Sequence, residues 1–261
     1  MDLCWFKAPA WEKRGAPLHG FLGRRGGKSG GAYAGLNLSF RVGDDPAIVK
    51  DNFCDVKKAV GVHNLKVVTM KQVHGDHIAD VADPGVKEIG EADGMVAAKP
   101  GIFLGVLTAD CAPILFSIPD KKLAAVVHAG WRGTAAGIAP KMVRHLRERY
   151  GVPPGAIEAA LGPTIGPCCY EIGEEVLGPL LVHWRTPAEM SIHPRLPEKP
   201  RLPGKFFLDI RELNRLQLED AGVSPEKITI VGPCTSCAED FFSYRRDGET
   251  GRQLSFIGWA P

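Results

Sequence analysis

The sequence predicts a single α/β or α+β domain in which helices flank a mixed β-sheet. Apolar runs of strand length, such as Ile102 to Leu107 and Leu123 to Val127, end at glycine, proline or polar residues. They alternate with segments of helical spacing, such as Ala135 to Leu146. Because 261 residues suffice for one large core and no low-complexity linker interrupts them, we expect residues 1–261 to form one domain.

The strands follow from apolar runs bounded by turn residues. Residues 17–40 predict a short strand, a glycine-rich loop and a second strand, and residues 243–252 are expected to form a turn between two strands. The other predicted strands are 67–70, 102–107, 113–118, 123–127, 156–161, 206–208 and 227–231.

The helices follow from apolar periodicity and from start signals. Asp44-Asp45-Pro46 predicts a helix start, because acidic residues and proline favour the first turn, and this helix should reach about Val60. Further helices are expected to open at Cys168 and to run from a cap at Asp209 through Ala221. The segment from Thr186 to Lys205, rich in proline and charge, is predicted to be a surface excursion.

Composition narrows the class of protein. A content of 44% hydrophobic and 24% charged residues is typical of a globular protein, and a net charge of +2 argues against nucleic acid as the main partner. The N-terminus lacks a basic start with a sustained apolar run, and no segment is long enough to cross a bilayer, so we expect a cytoplasmic protein without a membrane partner. Seven cysteines in such a chain are expected to be reduced.

Three side chains that can bind a metal stand where predicted strands end: His74, Cys111 and His128. One thiolate and two imidazoles suit tetrahedral zinc with one open position, as in a catalytic site. The alternative is that the histidines are ordinary residues near a core and that Cys111 is a small buried hydrophobe. The spacing alone fits no compact ligand motif and favours that alternative.

Six motifs, in the same order from about His19 to the C-terminus, resemble the multicopper polyphenol oxidoreductase (laccase-domain) family. They are Lys71-Gln-Val-His-Gly, Glu91-Ala-Asp-Gly-Met, Leu107-Thr-Ala-Asp-Cys-Ala-Pro, His128-Ala-Gly-Trp-Arg-Gly-Thr, Leu161-Gly-Pro-Thr-Ile-Gly-Pro-Cys-Cys-Tyr-Glu-Ile and Phe241-Phe-Ser-Tyr-Arg-Arg-Asp-Gly-Glu-Thr-Gly-Arg.

The resemblance implies a zinc-dependent purine nucleoside phosphorylase that converts adenosine, inosine or methylthioadenosine and phosphate to base and ribose 1-phosphate, with adenosine deaminase activity. It implies His74, Cys111 and His128 as the zinc ligands, Cys111 and His128 being catalytic as well, and a fold related to toxin-type cysteine deamidases. The expected partners are purine nucleosides and phosphate. Whether the metal is zinc or copper, and whether the chain is a monomer or a homodimer, stays open.

An acid/base residue is also needed for deamination. Zinc deaminases of other families use a glutamate in a His-x-Glu motif, which neither histidine here has. Asp110, next to Cys111, is therefore the acid/base candidate.

Phosphate requires a cationic site. The turn Ala129-Gly-Trp-Arg-Gly-Thr offers backbone N–H groups at a helix start together with Arg132. Any of the candidate cations can instead be a surface or structural residue, which is the commoner role of arginine. The rival phosphate ligands are Lys71, Arg24, Arg245, Arg246 and Arg252.

The glycine-rich loop from Gly23 to Ala34 can close over a nucleoside, or it can be a solvent-exposed hairpin tip. Arg24 and Asn37 flank it and match family positions, which makes them the expected polar contacts to sugar or base. The family's Ser-Thr pair is replaced here by Leu22-Gly23, which removes two hydroxyl groups.

Three other functions stay open. Copper oxidation of polyphenols would need a weak axial methionine or paired His-x-His segments, and the latter are missing from the sequence. A cysteine hydrolase would use Cys111 as nucleophile and His128 as base, although bound zinc would quench that thiolate. Peptidoglycan editing is a role given to bacterial relatives.

The remaining cysteines predict no second metal. Cys234-Thr-Ser-Cys237 is a single Cys-x-x-Cys pair, whereas a structural zinc site needs a second pair. The neighbours Cys168 and Cys169 are geometrically poor disulfide partners, and we interpret them as packing or as the wall of a ligand pocket.

Overall fold

A computed structural model describes residues 3–12, 15–61, 66–182, 192–193 and 204–261. The helices are α1 (Pro46–Ala59), α2 (Trp131–Ala135), α3 (Ile138–Tyr150), α4 (Glu174–Leu181), α5 (Ile210–Asp220) and α6 (Tyr244–Asp247). The strands are β1 (Trp5–Phe6), β2 (Leu18–Leu22), β3 (Val67–Lys71), β4 (Ile78–Val81), β5 (Glu88–Glu91), β6 (Gly94–Ala97), β7 (Phe103–Thr108), β8 (Ala112–Ile118), β9 (Leu123–Ala129), β10 (Glu158–Leu161), β11 (Glu171–Ile172), β12 (Ile192–His193), β13 (Phe206–Leu208), β14 (Ile228–Ile230) and β15 (Gln253–Gly258).

Two six-stranded mixed sheets form the centre of the molecule. The first sheet has the order β1-β2-β15-β7-β3-β5, and the second has the order β14-β10-β8-β9-β6-β4. Most neighbours are antiparallel, but β3 is parallel to both β5 and β7, β4 is parallel to β6, and β10 is parallel to β14. A small third sheet pairs β13 with β11 and β12.

The two sheets pack against each other, and the outer face of each sheet is covered by helices. Alternate residues of β9 show why: Val126 packs between the sheets with Leu104 of β7, whereas Val127 packs with Met142 of α3. On the outer face of the first sheet, Phe256 packs with Val56 of α1. Strands buried on both faces are apolar throughout, which explains the continuous hydrophobic runs of β8 and β9.

This architecture confirms the predicted mixed α/β class with helices flanking mixed strands, although the strands divide into two large sheets rather than one. The predicted helix start at Asp44-Asp45-Pro46 is confirmed, with the carboxylate of Asp45 accepting the N–H of Ala47, and the predicted cap at Asp209 is confirmed, with its carboxylate accepting the N–H of Glu212. No helix in the described part of the chain is long and apolar enough to span a bilayer.

Three element boundaries differ from the predictions. The helix expected from Ala135 to Leu146 is broken between α2 and α3 by Gly137, whose φ of 74° lies in the left-handed region. The helix expected at Cys168 begins only at Glu174, because residues 167–169 form a turn and β11 pairs with β13. Residues 243–252 contain the short helix α6 rather than a plain turn.

Two further predictions concern loops. The second strand expected within residues 17–40 is a 3-10 turn at Gly31–Tyr33 together with an isolated bridge between Ser29 and Gly35. Of the predicted surface excursion at residues 186–205, all but residues 192–193 and 204–205 lies outside the described residues.

Candidate metal centre and active site

His74, Cys111 and His128 meet where strands of the two large sheets end. Their candidate ligand atoms all lie within 4.8 Å of one another, and Cys111 Sγ is 3.9 Å from His74 Nε2. The planes of the two imidazole rings meet at 78°, with centroids 4.8 Å apart. We call these residues the triad. The structure thus brings together three side chains that are far apart in sequence, as the metal prediction requires.

The loops that carry the triad are held by side chains at the strand ends. Gln72, which follows β3, both donates to the carbonyl and accepts from the N–H of Leu107 in β7, at 2.8 and 2.9 Å. His74 itself has a φ of 60°, which is uncommon outside glycine and occurs where surrounding contacts stabilise a strained backbone.

Asp93, just before β6, supplies those contacts. Its carboxylate is fully buried and accepts the backbone N–H groups of Val73, His74 and Gly75 at 3.2, 3.0 and 2.7 Å. The same carboxylate lies 2.7 Å from Nδ1 of His128, which leaves Nε2 of that ring for a metal. A carboxylate that fixes the tautomer of a ligating histidine is a recurrent part of metal sites.

The sequence patterns above predict no role for Asp93. The residue occurs within the motif Glu91-Ala-Asp-Gly-Met, and the available signal was an acidic residue directly before the apolar strand β6. A buried carboxylate at such a position needs hydrogen-bond donors, and the histidine loop provides them.

The triad is electrostatically coupled when no metal is bound. Burial alone would raise the pKa of the Cys111 thiol, but His128 and His74 outweigh it and lower that pKa to about 6. Burial alone would lower the pKa of His128, but Cys111 and Asp93 raise it to about 9. The two histidines therefore favour the thiolate form of Cys111, which is the form that binds a metal.

The absence of a side chain at Gly130 provides the space that the triad occupies. A Cβ atom at this position would lie 3.0 Å from Cδ2 of His74 and 3.1 Å from Sγ of Cys111. The donor set of one thiolate and two imidazoles, the anchored histidine tautomer and this space fit a zinc ion.

Asp110 holds the loop that carries Cys111. Its carboxylate accepts the hydroxyl of Thr235 at 2.6 Å and the backbone N–H of Arg245 at 2.7 Å. Its carbonyl accepts the hydroxyl of Thr164 and the N–H of Ile165. With a φ of 93°, Asp110 connects three loops in a strained conformation beside the triad.

A cavity of about 1100 Å³ opens from the triad. Near the triad it is lined by Asp110, Tyr170, Arg245 and Arg252, and farther away it extends along α1. There Phe40, 55% exposed, stacks on Phe53 with ring centroids 5.8 Å apart. The cavity is therefore partly aromatic and partly cationic, with the triad in its wall.

Only some of the predicted site residues line this cavity. The three triad members, Asp110 and Arg245 do, and so does the rival cation Arg252. The residues that do not line it are Arg24, Asn37, Lys71, Arg132 and Arg246. None of residues 23–34, the loop expected to cover a nucleoside, contributes to the lining either.

The predicted residues outside the cavity have partners within the chain. Arg24 stacks over the ring of Phe242 and donates to the carbonyl of Ala34. Lys71 forms an ion pair with Glu91 at 2.7 Å. Such contacts account for these cations without any ligand.

Arg132 and Asn37, also outside the cavity, have different surroundings. The exposed Arg132 stacks over the ring of Trp131 with 4.1 Å to the centroid. Asn37 is fully buried, where its amide donates to Asp44 at 2.8 Å and accepts the N–H of Arg252 at 2.9 Å.

Arg252 differs from these cations. Its guanidinium donates only to the nearby carbonyls of Thr250 and Gly251, at 2.7 and 2.9 Å, and no ion pair to it occurs within the described residues. Burial lowers its pKa below the ordinary value for arginine. An arginine that is partly buried in a cavity without a carboxylate partner is a ready site for an anion.

The fold and motifs define the class of protein: the chain belongs to the multi-copper polyphenol oxidoreductase laccase family, whose profile matches residues 18–260. Two relatives bear the name purine nucleoside phosphorylase. That of Geobacillus stearothermophilus is 38% identical over 98% of this chain and 97% of its own length, and that of Deinococcus radiodurans is 37% identical over 92% and 88%.

Solved structures agree with the fold. The crystal structure of YlmD from Geobacillus stearothermophilus has a TM-score of 0.85 at 37% identity, covering 97% of this chain and 94% of that one. The hypothetical protein YfiH of Bacillus licheniformis has the same TM-score of 0.85 at 34% identity, covering 92% of each chain.

Proposed function

We propose that the chain is a zinc-dependent purine nucleoside phosphorylase that cleaves adenosine, inosine and methylthioadenosine with phosphate and also deaminates adenosine. The observation that carries this proposal is that the triad opens into a cavity that also receives Arg245 and Arg252. The names of the relatives support the reaction class. The cavity, at about 1100 Å³, has room for a nucleoside beside phosphate, since small-molecule sites span roughly 300–1,000 Å³.

His74, Cys111 and His128 would hold the zinc ion, with Asp93 fixing the ring of His128. When bound, the ion would supply Lewis acidity at the wall of the cavity. Phosphate binding and proton transfer are assigned to side chains of the protein itself.

In phosphorolysis, a phosphate oxygen forms a bond to C1′ of the ribose while the bond from C1′ to the purine breaks. The purine leaves with the bonding electron pair and takes up a proton. In this proposal Arg252 holds the phosphate dianion, because its guanidinium has no carboxylate partner in the described structure, and Arg245 adds a second positive charge.

In deamination, a water oxygen adds to C6 of adenine, one water proton passes to N1 and the other to the exocyclic nitrogen, and the bond from C6 to that nitrogen breaks, so that ammonia leaves. In this proposal Asp110 moves the proton to the exocyclic nitrogen, since its carboxylate lies in the cavity next to Cys111. Asparagine at this position can still accept the N–H of Arg245 and donate to the Thr235 hydroxyl, so Asp110→Asn should keep the fold. Asp110→Asn is expected to lower deamination by about 10²–10⁴-fold, the usual contribution of a general acid or base.

The test of the reaction is a product assay. Purified protein of known zinc content is incubated with adenosine, inosine and methylthioadenosine, with and without phosphate, and the products are identified. Phosphate-dependent release of base with ribose 1-phosphate, and phosphate-independent conversion of adenosine to inosine, are the expected results. Activity only on muropeptides, or only oxidation of phenols, would replace the proposal by the corresponding alternative.

The test of the phosphate site compares two arginines. Arg252→Ala should raise the KM for phosphate about 10- to 100-fold, since a hydrogen bond to a charged group contributes about 1.5–3 kcal/mol, while deamination changes little. Arg132→Ala, which removes a cation outside the cavity, is the matched control and should leave both reactions nearly unchanged. Loss of phosphate binding in Arg132→Ala instead would move the phosphate site to the turn that begins α2.

One observation favours a second candidate. Cys111, His128 and Asp93 lie in the order of a nucleophile, base and orienting carboxylate, which is the arrangement of a cysteine hydrolase. Metal removal separates the two functions. The phosphorylase should lose activity with a chelator and regain it with zinc, whereas a hydrolase would act on amide substrates only after the metal is removed.

A further inference from the structure

Four cysteines outside the triad come together in space. Cys168 and Cys169 lie in the turn before β11, and Cys234 and Cys237 lie in the loop after β14. Sγ of Cys237 is 3.5 Å from Sγ of Cys168 and 3.3 Å from Sγ of Cys169, and all four sulfurs lie within 4.8 Å of one another. We call these residues the cysteine cluster. The two halves lie more than 60 residues apart in the sequence, so that neither half alone predicts a metal site.

We propose that the cysteine cluster is a second metal site, in which four thiolates bind one zinc ion and tie two loops together. With Zn–S bonds of about 2.3 Å, tetrahedral geometry places neighbouring sulfurs about 3.8 Å apart, close to the separations seen here. A disulfide would require about 2.05 Å between two sulfurs and would join only one pair. Four protein ligands leave no open position, so the site is structural rather than catalytic.

The backbone around Cys234 is arranged to support a thiolate. Its sulfur accepts the N–H of Gly166 at 3.1 Å, and the N–H groups of Ser236 and Cys237, two and three residues onward, also point to it. Hydrogen bonds from backbone N–H groups to sulfur stabilise the negative charge that a bound metal requires.

Gly166 and Arg246 supply two further conditions. A Cβ atom on Gly166 would lie 3.4 Å from Sγ of Cys168 and 3.3 Å from Cβ of Cys234, so glycine permits the close approach of the two halves. The guanidinium of Arg246 donates to the carbonyls of residues 235, 236 and 238, which places a positive charge against the loop. A zinc ion with four thiolates carries a net charge of about −2, which this cation partly neutralises.

The cluster lies next to the walls of the candidate active site. Thr235, between the two cysteines of the loop, donates to the carboxylate of Asp110 at 2.6 Å. The carbonyl of Cys169 accepts a hydrogen bond from Nη1 of Arg245 at 3.2 Å, and Tyr170 lines the cavity. A metal in the cluster would therefore fix the loops that position Asp110, Arg245 and Tyr170.

The first test is metal content, measured on the full chain purified with added zinc under reducing conditions. The wild type is expected to contain two zinc ions per chain, and Cys237→Ser, at an exposed position, one. His74→Ala should also contain one, having lost the other ion. Cys54→Ser, an exposed thiol in α1 outside both groups, is the matched control and should retain two.

The second test is thiol labelling of the wild type, which needs no variant and does not depend on folding of a mutant. Iodoacetamide labelling followed by mass spectrometry should modify Cys54 readily, while the four cluster cysteines react at least tenfold more slowly until a chelator is added. Cobalt substitution should add the sulfur-to-cobalt charge-transfer absorption of a site with four thiolates, lost in Cys237→Ser and kept in His74→Ala.

The results that overturn the proposal are equally specific. They are a wild type with one zinc ion that Cys237→Ser retains, rapid labelling of the cluster in zinc-loaded protein, or a disulfide within the cluster after reducing purification. None of these readouts uses nucleoside turnover, so failure of the second site and failure of the proposed phosphorylase activity are distinguishable.

Discussion

Replacing Asp93 by asparagine tests whether one buried carboxylate sets the geometry of both triad histidines. Oδ1 faces Nδ1 of His128 and the N–H of His74. Oδ2 accepts the N–H groups of Val73 and Gly75. An amide has one oxygen, so its NH₂ group must face donors on one of these two sides.

Either orientation has a cost. If NH₂ replaces Oδ2, two backbone N–H groups lose their acceptor, at about 1–3 kcal/mol for each buried group. If NH₂ replaces Oδ1, Nδ1 of His128 must accept, which puts the ring proton on Nε2, the nitrogen needed by the metal. We therefore expect Asp93→Asn to weaken zinc binding about 10- to 100-fold and to lower the free energy of unfolding by about 2–4 kcal/mol.

Competition with a chromophoric chelator measures the zinc affinity, and urea unfolding of the metal-free protein measures the stability. Asp83→Asn is the matched control, because Asp83 is an exposed carboxylate that accepts one backbone N–H, from Gly85 at 2.7 Å. It should change the free energy of unfolding by no more than about 0.5 kcal/mol. Asp93→Asn with unaltered zinc affinity and stability would refute the role assigned to the carboxylate.

Two more predictions concern space and pH. Gly130→Ala should weaken zinc binding about tenfold, because the added Cβ would lie 3.0 and 3.1 Å from two triad side chains. Gly155→Ala is the control and should not change the affinity, because nothing lies within 4 Å of a Cβ there. Zinc affinity is measured by chelator competition, and equal affinities of the two variants would contradict the steric argument. Burial alone would raise the pKa of Asp80, but hydrogen bonds from Tyr150 and His145 lower it, so its contribution to stability is present above the unfolded pKa of about 3.9 and is lost as pH falls through the folded value. Burial and Asp80 raise the pKa of Tyr150 to about 12, so the contribution of Tyr150 to stability is present below about pH 10 and is lost as pH rises towards 12. Asp80→Asn should thus lower the free energy of unfolding by about 1–2 kcal/mol at pH 7 and by less at pH 3, as measured by urea unfolding; an equal loss at both pH values would contradict the ionic origin.

Local features of the fold were predictable because they depend on neighbouring residues. The strand cores follow from apolar runs, and the starts of α1 and α5 follow from Asp45 and Asp209, whose carboxylates cap their own helices. The number of large sheets did not follow, since an apolar run shows that a strand is buried but not which layer covers each face. The break between α2 and α3 at Gly137 was not predictable either, because the apolar spacing continues across it.

The candidate phosphate ligands show a different limit. Arginines are common on surfaces, and their position in the sequence does not reveal which of them face a cavity. Arg24 and Arg252 come from strand ends in the same sheet, yet only Arg252 lines the cavity, whereas Arg24 stacks on Phe242. The order of strands, which brings β15 beside β7, decides this difference.

Tertiary contact also links the two proposed metal sites. Cys111 belongs to the triad, its neighbour Asp110 binds the hydroxyl of Thr235, and Thr235 lies between Cys234 and Cys237 of the cysteine cluster. Because Asp110 is held at a φ of 93° by these contacts, loosening the cluster frees the backbone directly before a triad ligand. Loss of metal from the cluster should therefore reduce the proposed enzymatic activities by displacing Asp110, while His74, Cys111 and His128 still bind their own metal.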